Sequence, residues 1–473
     1  MTDNQRFSVE WRGVWQVLCL LVISMVLNML SEVRAQSSND GEASSAQSSL
    51  RAWEHMTDAQ AWNVLPRLKS GHQPPLPNWV KAVALQMPRT AAALLELDAA
   101  QRSDGPLDPA LKAKLRWIVA HANHCAYSEA VSMSDLRRAG EHYLDDKSFM
   151  GESSDWPKSD SDVFRFARLL TVSAPAITDT LFESVRQKHG DRGVAAIVLL
   201  AAYGNFQDRL LLGLQVPLEP GGPLPPLDGK FVDGALQKTP ILPPQNGHAV
   251  YNTVVHPVTP GQQDWTSVSF DQLQDRLEKQ RDRQSRLPIP DWQSVRSKLP
   301  DEMASHPTSI RWNLVSYGYA HELAIPWTTM TRTHWAEYPS ERILEESLFW
   351  VQTRAVDCNY CMGHCEMLLE LAGLGKAEVE KRTRLLAETD WGAFPPAEQI
   401  AYAYARKLSQ SPMTLTPNDY ERLEREYGPK RAMSLFVWLC RGLYMTRVSD
   451  GFQLPLERDN VFGHHAPITT DVK

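Results

Sequence analysis

The sequence predicts an all-α protein. Apolar residues recur with a helical period along most of the 473-residue chain, and the alternating patterns typical of strands are scarce. Val194 to Leu214 is one long apolar helical stretch, and Lys430 to Thr446 is its counterpart later in the chain. Thr416 and Pro417 favour the start of a helix, and Gly428 favours the end of that helix. Helical period and end signals therefore agree on the fold class.

The chain also repeats itself. Cys125 and Cys358 lie 233 residues apart (358 − 125), and tryptophan, tyrosine and glycine pairs nearby keep the same separation. Farther along the separation becomes 238 residues, as between 217–219 and 455–457 (455 − 217), both of which read Pro-Leu-Glu. The change predicts a loop of different length near 141–160. Constant separations over such stretches indicate a tandem duplication.

The repeat sets the expected domain organisation. We predict one helical copy at residues 55–220 and a second at 288–460. Between them, residues 221–287 form a Pro-rich linker that ends in a charged helical stretch, Asp271 to Arg286, with few apolar anchors. That composition predicts a surface helix. Residues 461–473 are predicted to be a tail.

The N-terminal residues are predicted to be a targeting segment. Val14 to Leu30 is an uncharged, mostly apolar run, and Val33-Arg34-Ala35 matches a signal-peptidase site. We therefore expect a signal peptide at 1–35 and a polar, disordered spacer at 36–54. An uncleaved membrane anchor is the alternative. Either interpretation places the folded part outside the cytoplasm, so the protein is expected to be exported, to the periplasm or the exterior.

Composition excludes several classes of protein. The net charge is −7, which gives a nucleic-acid partner no electrostatic support. Six cysteines are too few for a disulfide scaffold. Removing residues 1–35 takes Cys19 with it, and Cys440 lies in an apolar helical stretch where a core position is expected. The remaining cysteines are Cys125, Cys358, Cys361 and Cys365.

Cys358 and Cys361 form a Cys-x-x-Cys pair directly before an apolar helical pattern. A helix N-terminus favours the thiolate form of a cysteine. His364 follows Cys361 by three residues, so both face one side of the helix. His364 could therefore exchange a proton with the Cys361 thiol. Glu346 lies on the preceding helix.

Three interpretations of this centre compete. The first is a redox dithiol that closes to a disulfide. The second is a zinc site, which would need a distant ligand such as Cys440, His464 or His465. The third is a structural disulfide in an exported protein. Attached haem is excluded because Met362, not histidine, follows Cys361. The spacing places the redox interpretation ahead of the other two.

The array Glu346-x(11)-Cys358-x-x-Cys361-x-x-His364, followed by Leu368 to Gly373, resembles the AhpD-like superfamily. That superfamily contains alkylhydroperoxidase D and the carboxymuconolactone decarboxylases. The resemblance implies two helical-bundle domains that form a pseudo-dimer, and a thiol-dependent peroxidase or disulfide oxidoreductase. It also implies that Glu346 is the relay base, His364 carries the proton, Cys361 attacks a peroxide and Cys358 resolves the product to a disulfide. A decarboxylase-like small-molecule enzyme and a non-catalytic domain with a structural disulfide or zinc are the alternatives.

The sequence departs from the family pattern in one position. The family histidine follows the second cysteine by four residues, whereas here Cys365 holds that position and His364 is one residue earlier. Cys365 is interpreted as a small buried residue, with a role as an alternative thiol partner left open.

The first copy is predicted to be catalytically inactive and to pack against the second copy. Ser128 replaces Cys361, Val131 replaces His364 and Ala113 replaces Glu346. We predict no cofactor and no metal. The expected partners are a peroxide or other small-molecule substrate and an unidentified dithiol electron donor, with homo-oligomerisation left open.

Overall fold

The computed structural model describes residues 56–140, 156–158, 160–232, 267–339 and 341–463. Within these ranges the chain forms helices and a single isolated β-bridge, between Leu68 and Phe231. The all-α prediction is therefore confirmed. The α-helices are α1 Asp58–Val64, α2 Asn78–Ala84, α3 Pro88–Ser103, α4 Pro109–Ala122, α5 Ala126–Arg138, α6 Ser161–Val172, α7 Asp179–Gly213, α8 Phe270–Arg281, α9 Trp292–Arg296, α10 Asp301–Ala304, α11 Arg311–Glu337, α12 Arg342–Ala355, α13 Asn359–Leu371, α14 Lys376–Ala387, α15 Pro396–Gln410, α16 Pro417–Tyr427 and α17 Pro429–Phe452.

Helix α16 begins and ends where its sequence predicts. The Thr416 side chain and Asp419 form a capping box, in which the Thr416 N–H donates to Asp419 Oδ2 over 2.7 Å. Pro417 is the first helical residue, where its missing N–H costs nothing. The helix ends at Tyr427 because Gly428 has a φ of 75°, a conformation that glycine adopts without strain.

Helix bounds recur along the chain with the separations seen in the sequence. Helices α4 and α5 cover 109–122 and 126–138, and α12 and α13 cover 342–355 and 359–371. The residue two before α5 and the residue two before α13, His124 and Asp357, both have left-handed backbones, with φ of 56° and 61°. The backbone therefore has the same conformation just before Cys125 and just before Cys358, which are the N-cap residues of α5 and α13.

The two long C-terminal helices of the halves pack against each other. Helix α7 is kinked at Gly190, and the counterpart chain is interrupted at Gly428 between α16 and α17. A Cβ on Gly213 of α7 would lie 2.7 Å from Phe436 Cζ on α17, and a Cβ on Gly451 of α17 would lie 2.8 Å from Val198 Cγ1 on α7. Gly213 and Gly451 are counterparts, as are Val198 and Phe436. The contact is reciprocal, as in an interface with twofold symmetry.

Helix α8 is less solvated than the linker prediction implied. Its N-cap Ser269 forms a capping box, and its apolar residues Phe270, Leu273 and Leu277 are buried. These residues recur at three- and four-residue spacing, so three anchors suffice to bury one face of an otherwise charged helix. Earlier in the linker, the Phe231 N–H donates to Glu96 Oε1 over 2.7 Å.

Several predicted segments lie outside the described residues. These are the signal peptide at 1–35, the spacer at 36–54 and the tail from 464 onward, which includes His464 and His465. The described ranges all belong to one compact unit, Met56–Lys473. Across those ranges no helix is both long enough and apolar enough to cross a bilayer.

Candidate functional site

The Cys-x-x-Cys pair lies at the start of α13. Cys358 is the N-cap residue and Cys361 lies in the first turn. Their side chains come within 3.4 Å of each other, and both cysteines are free thiols. Since a disulfide needs the sulfurs to approach to about 2 Å, a small movement would allow the bond to form. The helix start therefore brings the two predicted residues together.

Helix α17 lines the other side of the thiols. The Cys358 thiol points to the Thr446 carbonyl oxygen at 3.8 Å, and Cys361 Sγ lies 3.3 Å from Ser449 Oγ. The Ser449 hydroxyl already donates to the Met445 carbonyl oxygen over 2.9 Å. Because a hydroxyl carries a single proton, the Cys361 thiol is the donor to Ser449. Ser449 would have to turn its O–H to stabilise a Cys361 thiolate.

Both thiols are buried, with exposed fractions of 0% for Cys358 and 2% for Cys361. Burial raises the pKa of Cys358 well above its ordinary value, and its interaction with Cys361 and the nearby Asp450 raises that pKa further. The Cys358 proton is therefore held at neutral pH unless a neighbouring group accepts it.

Asp450 is the neighbouring acid that sequence reasoning missed. Burial raises its pKa to about 7, although Arg447 and the Cys358 thiol lower it. Its Oδ2 is buried and has no hydrogen-bond partner among the described residues. The sequence does contain a signal for Asp450: it is an acidic residue on an apolar helix. It follows Thr446 by four positions, so the two residues lie on one face of that helix.

Asp450 also borders a surface cavity of about 400 Å³. Four cationic side chains line this cavity from α8 and the residues after it, Arg276, Lys279, Arg283 and Arg286. Arg276 is paired with Asp357 at 2.7 Å. Asp450 can therefore be reached from solvent through a cavity that cationic side chains line, and Cys358 lies next to Asp450.

His364 pairs with a carboxylate that was not predicted. Its Nε2 lies 2.8 Å from Glu457 Oε2. The other oxygen of Glu457 accepts hydrogen bonds from the Tyr360 hydroxyl at 3.0 Å and the Arg311 N–H at 2.9 Å. Burial alone would raise the Glu457 pKa, but the interactions with His364 and the Arg311 N–H leave it below the ordinary value. The hydrogen bonds of His364 and Cys361 therefore go to different partners.

Glu346 is fully buried in α12 and accepts a hydrogen bond from Arg342 Nη1 at 3.2 Å. Burial raises its pKa, and the charges of Arg342, Arg441 and His364 oppose that effect. Its negative charge raises the pKa of Cys365, which burial has already raised well above the ordinary value. Glu346 thus lies near Cys365, the residue that holds the family histidine's position, and it makes no hydrogen bond to His364 among the described residues.

The residues predicted to form the first copy repeat part of this arrangement, with a serine in place of the second thiol. Cys125 Sγ lies 3.6 Å from Ser128 Oγ, where the second copy has two thiols. The Tyr127 hydroxyl donates to Glu219 Oε1 over 2.7 Å, which matches the Tyr360 contact with Glu457. Glu219 Oε2 is buried without a partner in the described ranges, because Val131 stands where His364 would donate.

Cys440 is fully buried in α17, as predicted for a core residue. Among the described residues no group of three or more histidine, cysteine, aspartate or glutamate side chains is arranged to hold a metal ion. The zinc interpretation depended in part on His464 and His465, which lie outside those residues.

The chain matches no known family model and no curated protein.

Proposed function

We propose that this chain is an exported, duplicated member of the AhpD-like superfamily whose Cys358–Cys361 dithiol acts as a thiol peroxidase or disulfide oxidoreductase. The observation that carries the proposal is the 3.4 Å approach of two free thiols at a helix start, beside the half-buried carboxyl group of Asp450, whose pKa is about 7. A dithiol cycle requires two sulfurs that can bond and a group that can take the proton.

The proposed cycle transfers two electrons. The Cys361 sulfur attacks the terminal oxygen of a hydroperoxide, the O–O bond breaks, and the proton of the Cys361 thiol passes to the departing alkoxide, which leaves as an alcohol. Cys361 is then a sulfenic acid. The Cys358 sulfur attacks the Cys361 sulfur, an S–S bond forms, and the hydroxyl group leaves as water. An external dithiol reduces the disulfide and is itself oxidised to a disulfide.

Asp450 is the residue to which we assign the Cys358 proton. With a pKa of about 7, its carboxylate is present in part at neutral pH and can act as a general base. The His364–Glu457 pair, at 2.8 Å, holds α13 to the segment after α17. In this proposal His364 positions the helix that carries Cys361, which differs from the proton-carrier role that the family resemblance implies.

Peroxide consumption in the presence of a dithiol reductant tests the proposal. We expect the wild-type protein to consume hydroperoxide, and Cys361→Ser to fall to the background rate because it lacks the attacking sulfur. Cys125→Ser, in the first copy, is the matched control and should keep the wild-type rate. Equal rates for wild type and Cys361→Ser would reject the proposal.

The roles of the two cysteines can be separated by trapping the sulfenic acid. Cys358→Ser lacks the resolving thiol, so treatment with one equivalent of peroxide should leave a sulfenic acid on Cys361 that dimedone labels. Cys361→Ser should give no labelled product. Labelling in the reverse pattern would exchange the two roles.

The burial of both thiols, at 0% and 2% exposure, favours a second candidate, a structural cysteine pair. A structural disulfide has a low reduction potential, below about −300 mV, and resists mild dithiols. A redox-active pair would equilibrate with glutathione or thioredoxin-like buffers. Measuring the reduction potential of the Cys358–Cys361 pair therefore decides between the candidates.

We also propose export of the folded part, based on the sequence of residues 1–35. Export has a consequence for the reductant, because the periplasm is kept oxidising. The proposed cycle would then require a dedicated exported dithiol partner. N-terminal sequencing of the mature protein tests this proposal, and a mature chain that begins at Gln36 is the expected result.

A further inference from the structure

A second cavity, of about 320 Å³, lies where the two halves meet. Its lining is paired by the repeat: Thr171 corresponds to Ser409, and Arg209 corresponds to Arg447. Ser173 and Ser411 are also equivalent and also line the cavity. Each half therefore contributes two hydroxyl side chains and one guanidinium at equivalent positions. Such a lining places matching groups on the two sides of one cavity.

The two arginines are buried yet incompletely bonded. Their exposed fractions are 3% for Arg209 and 4% for Arg447. Arg209 donates to the amide oxygens of Asn123 and Asn205, and Arg447 donates to the Thr171 carbonyl oxygen at 3.0 Å. The Nε atom of each has no hydrogen-bond partner among the described residues.

The bonded partners of the two guanidiniums are neutral oxygens. In the described part of the chain, neither Arg209 nor Arg447 lies within ion-pair distance of a carboxylate. The third donor at this cavity is Gln410, whose side-chain nitrogen is also buried without a partner in the same ranges. The residues that line this cavity therefore carry three unpartnered N–H groups and one unpartnered acceptor, Gln410 Oε1, among the described residues.

Charge adds to the case for an anion. Burial and the positive charge of Arg447 lower the pKa of Arg209 to about 9, while the charge of Asp208 opposes them. Burial also lowers the pKa of Arg447, and the charge of Asp450 opposes that effect. Two cations that share a desolvated space destabilise each other, and an anion between them would offset that cost.

We propose that this cavity binds a small dianion of the oxyanion class, held by Arg209 from one half and Arg447 from the other. A tetrahedral dianion such as sulfate or phosphate, or a short dicarboxylate, offers oxygens to both sides, as the paired lining requires. Guanidinium groups are suited to such oxygens because their N–H donors lie in one plane. The proposal does not rest on the proposed dithiol chemistry, although the charges of the Cys358 and Cys361 thiolates act on Arg447.

Calorimetric titration of the full-length protein tests the proposal. Sulfate, phosphate and malonate are titrated separately, with ionic strength kept constant by sodium chloride. We expect saturable binding of at least one of them, with one site per chain. The preferred probe distinguishes an inorganic anion from a carboxylate ligand. Heat changes that never saturate, or that sodium chloride alone reproduces, would overturn the proposal.

Substitutions locate the site. Arg209→Gln and Arg447→Gln should each weaken binding by roughly tenfold or more, which corresponds to ~1.4 kcal/mol. Arg283→Gln, at the other cavity, is the matched control and should bind as wild type does. Unchanged affinity in both cavity variants would overturn the proposal. If circular dichroism shows that a glutamine variant does not fold, Arg209→Lys and Arg447→Lys replace it. These variants keep the positive charge but lack the planar set of donors. Unchanged affinity in both lysine variants would likewise overturn the proposal.

Discussion

Asp450 and Glu457 show how burial and a partner move the same kind of group in opposite directions. Asp450 has no hydrogen-bond partner for Oδ2 within the described ranges, and burial raises its pKa to about 7. Glu457 is also buried, yet hydrogen bonds from His364 and the Arg311 N–H keep its pKa below the ordinary value. The two carboxyl groups therefore make opposite contributions to the pH dependence of stability.

Asp450→Asn should flatten the stability profile between about pH 4 and pH 7. In this window the folded protein holds a proton that the unfolded chain has released, because the pKa rises from 3.8 to about 7 on folding. Wild-type stability therefore falls as pH rises through the window, by up to ~4 kcal/mol, and levels off above it. The asparagine variant should lose this slope, as measured by urea unfolding at several pH values.

Substitution of an exposed carboxylate, Asp271→Asn, provides the control for that experiment and should keep the wild-type slope. A wild-type slope in Asp450→Asn would mean that another group causes it.

Glu457→Gln should have the opposite pH signature. A carboxylate whose pKa is lowered on folding stabilises the protein above its unfolded pKa, near 4.5, and that stability is lost as pH falls through the folded value. We expect the variant to be about 1–3 kcal/mol less stable than wild type at neutral pH. The difference should shrink in acid. Guanidinium unfolding at pH 7 and pH 3.5 measures both values.

The first copy supplies a matched control for Glu457. Glu219 makes the same tyrosine hydrogen bond but leaves Oε2 without a partner in the described ranges. Glu219→Gln should therefore cost less stability than Glu457→Gln. Equal costs for the two variants would indicate that the His364 interaction contributes nothing.

At the scale of elements, the contact between α7 and α17 depends on small residues. Gly213 and Gly451 allow close approach of Phe436 and Val198, as the short distances to a hypothetical Cβ indicate. Because packed interfaces do not readily absorb an extra methyl group, these glycines fix how closely the helices approach.

Gly213→Ala and Gly451→Ala should each destabilise the protein by roughly 1–3 kcal/mol, since the added methyl group overpacks the interface. Gly221→Ala is the control, because a Cβ there meets nothing within 4 Å. Urea unfolding midpoints of the three variants measure the effect. Midpoints for the two helix variants that equal that of Gly221→Ala would contradict the reciprocal packing described here.

Local sequence signals predicted the elements better than the site. The start of α16 at Pro417 and its end before Gly428 depend on capping and backbone preference, which neighbouring residues determine. The approach of Cys358 to Cys361 is likewise local. Asp450 and Glu457 reach the thiols and His364 from about 90 residues away, through the packing of α17 and the segment after it. Periodicity does not encode which distant residue will face a given helix, so those partners were missed.

For the whole molecule, we propose that the chain arose by tandem duplication. The recurring helix bounds, the paired left-handed residues before α5 and α13, and the reciprocal glycine contacts all support it. Helix α17 is buried along most of its length. Each half therefore provides the apolar surface that the other half needs to bury.

A chain limited to residues 267–463 should not fold as a stable monomer. Without the first copy, the face of α17 that packs on α7 would be exposed to water. We expect aggregation or self-association, measured by light scattering coupled to size-exclusion chromatography. Co-expression with residues 56–232 should restore a soluble complex of the two pieces. A soluble, helical monomer of the second copy alone would contradict this prediction.

Arg447 connects two regions that were described separately. It lines the cavity between the halves, and the negative charge of a Cys358 or Cys361 thiolate raises its pKa. A charge brought into the cavity and a charge formed on sulfur therefore compete for the same guanidinium. Thermodynamic reciprocity then requires that an occupied cavity makes the thiols harder to ionise, and that thiolate formation weakens occupancy by the same factor. If the cavity holds an anion as proposed, Arg447 would couple the concentration of that ligand to the ionisation of the Cys358 and Cys361 thiols.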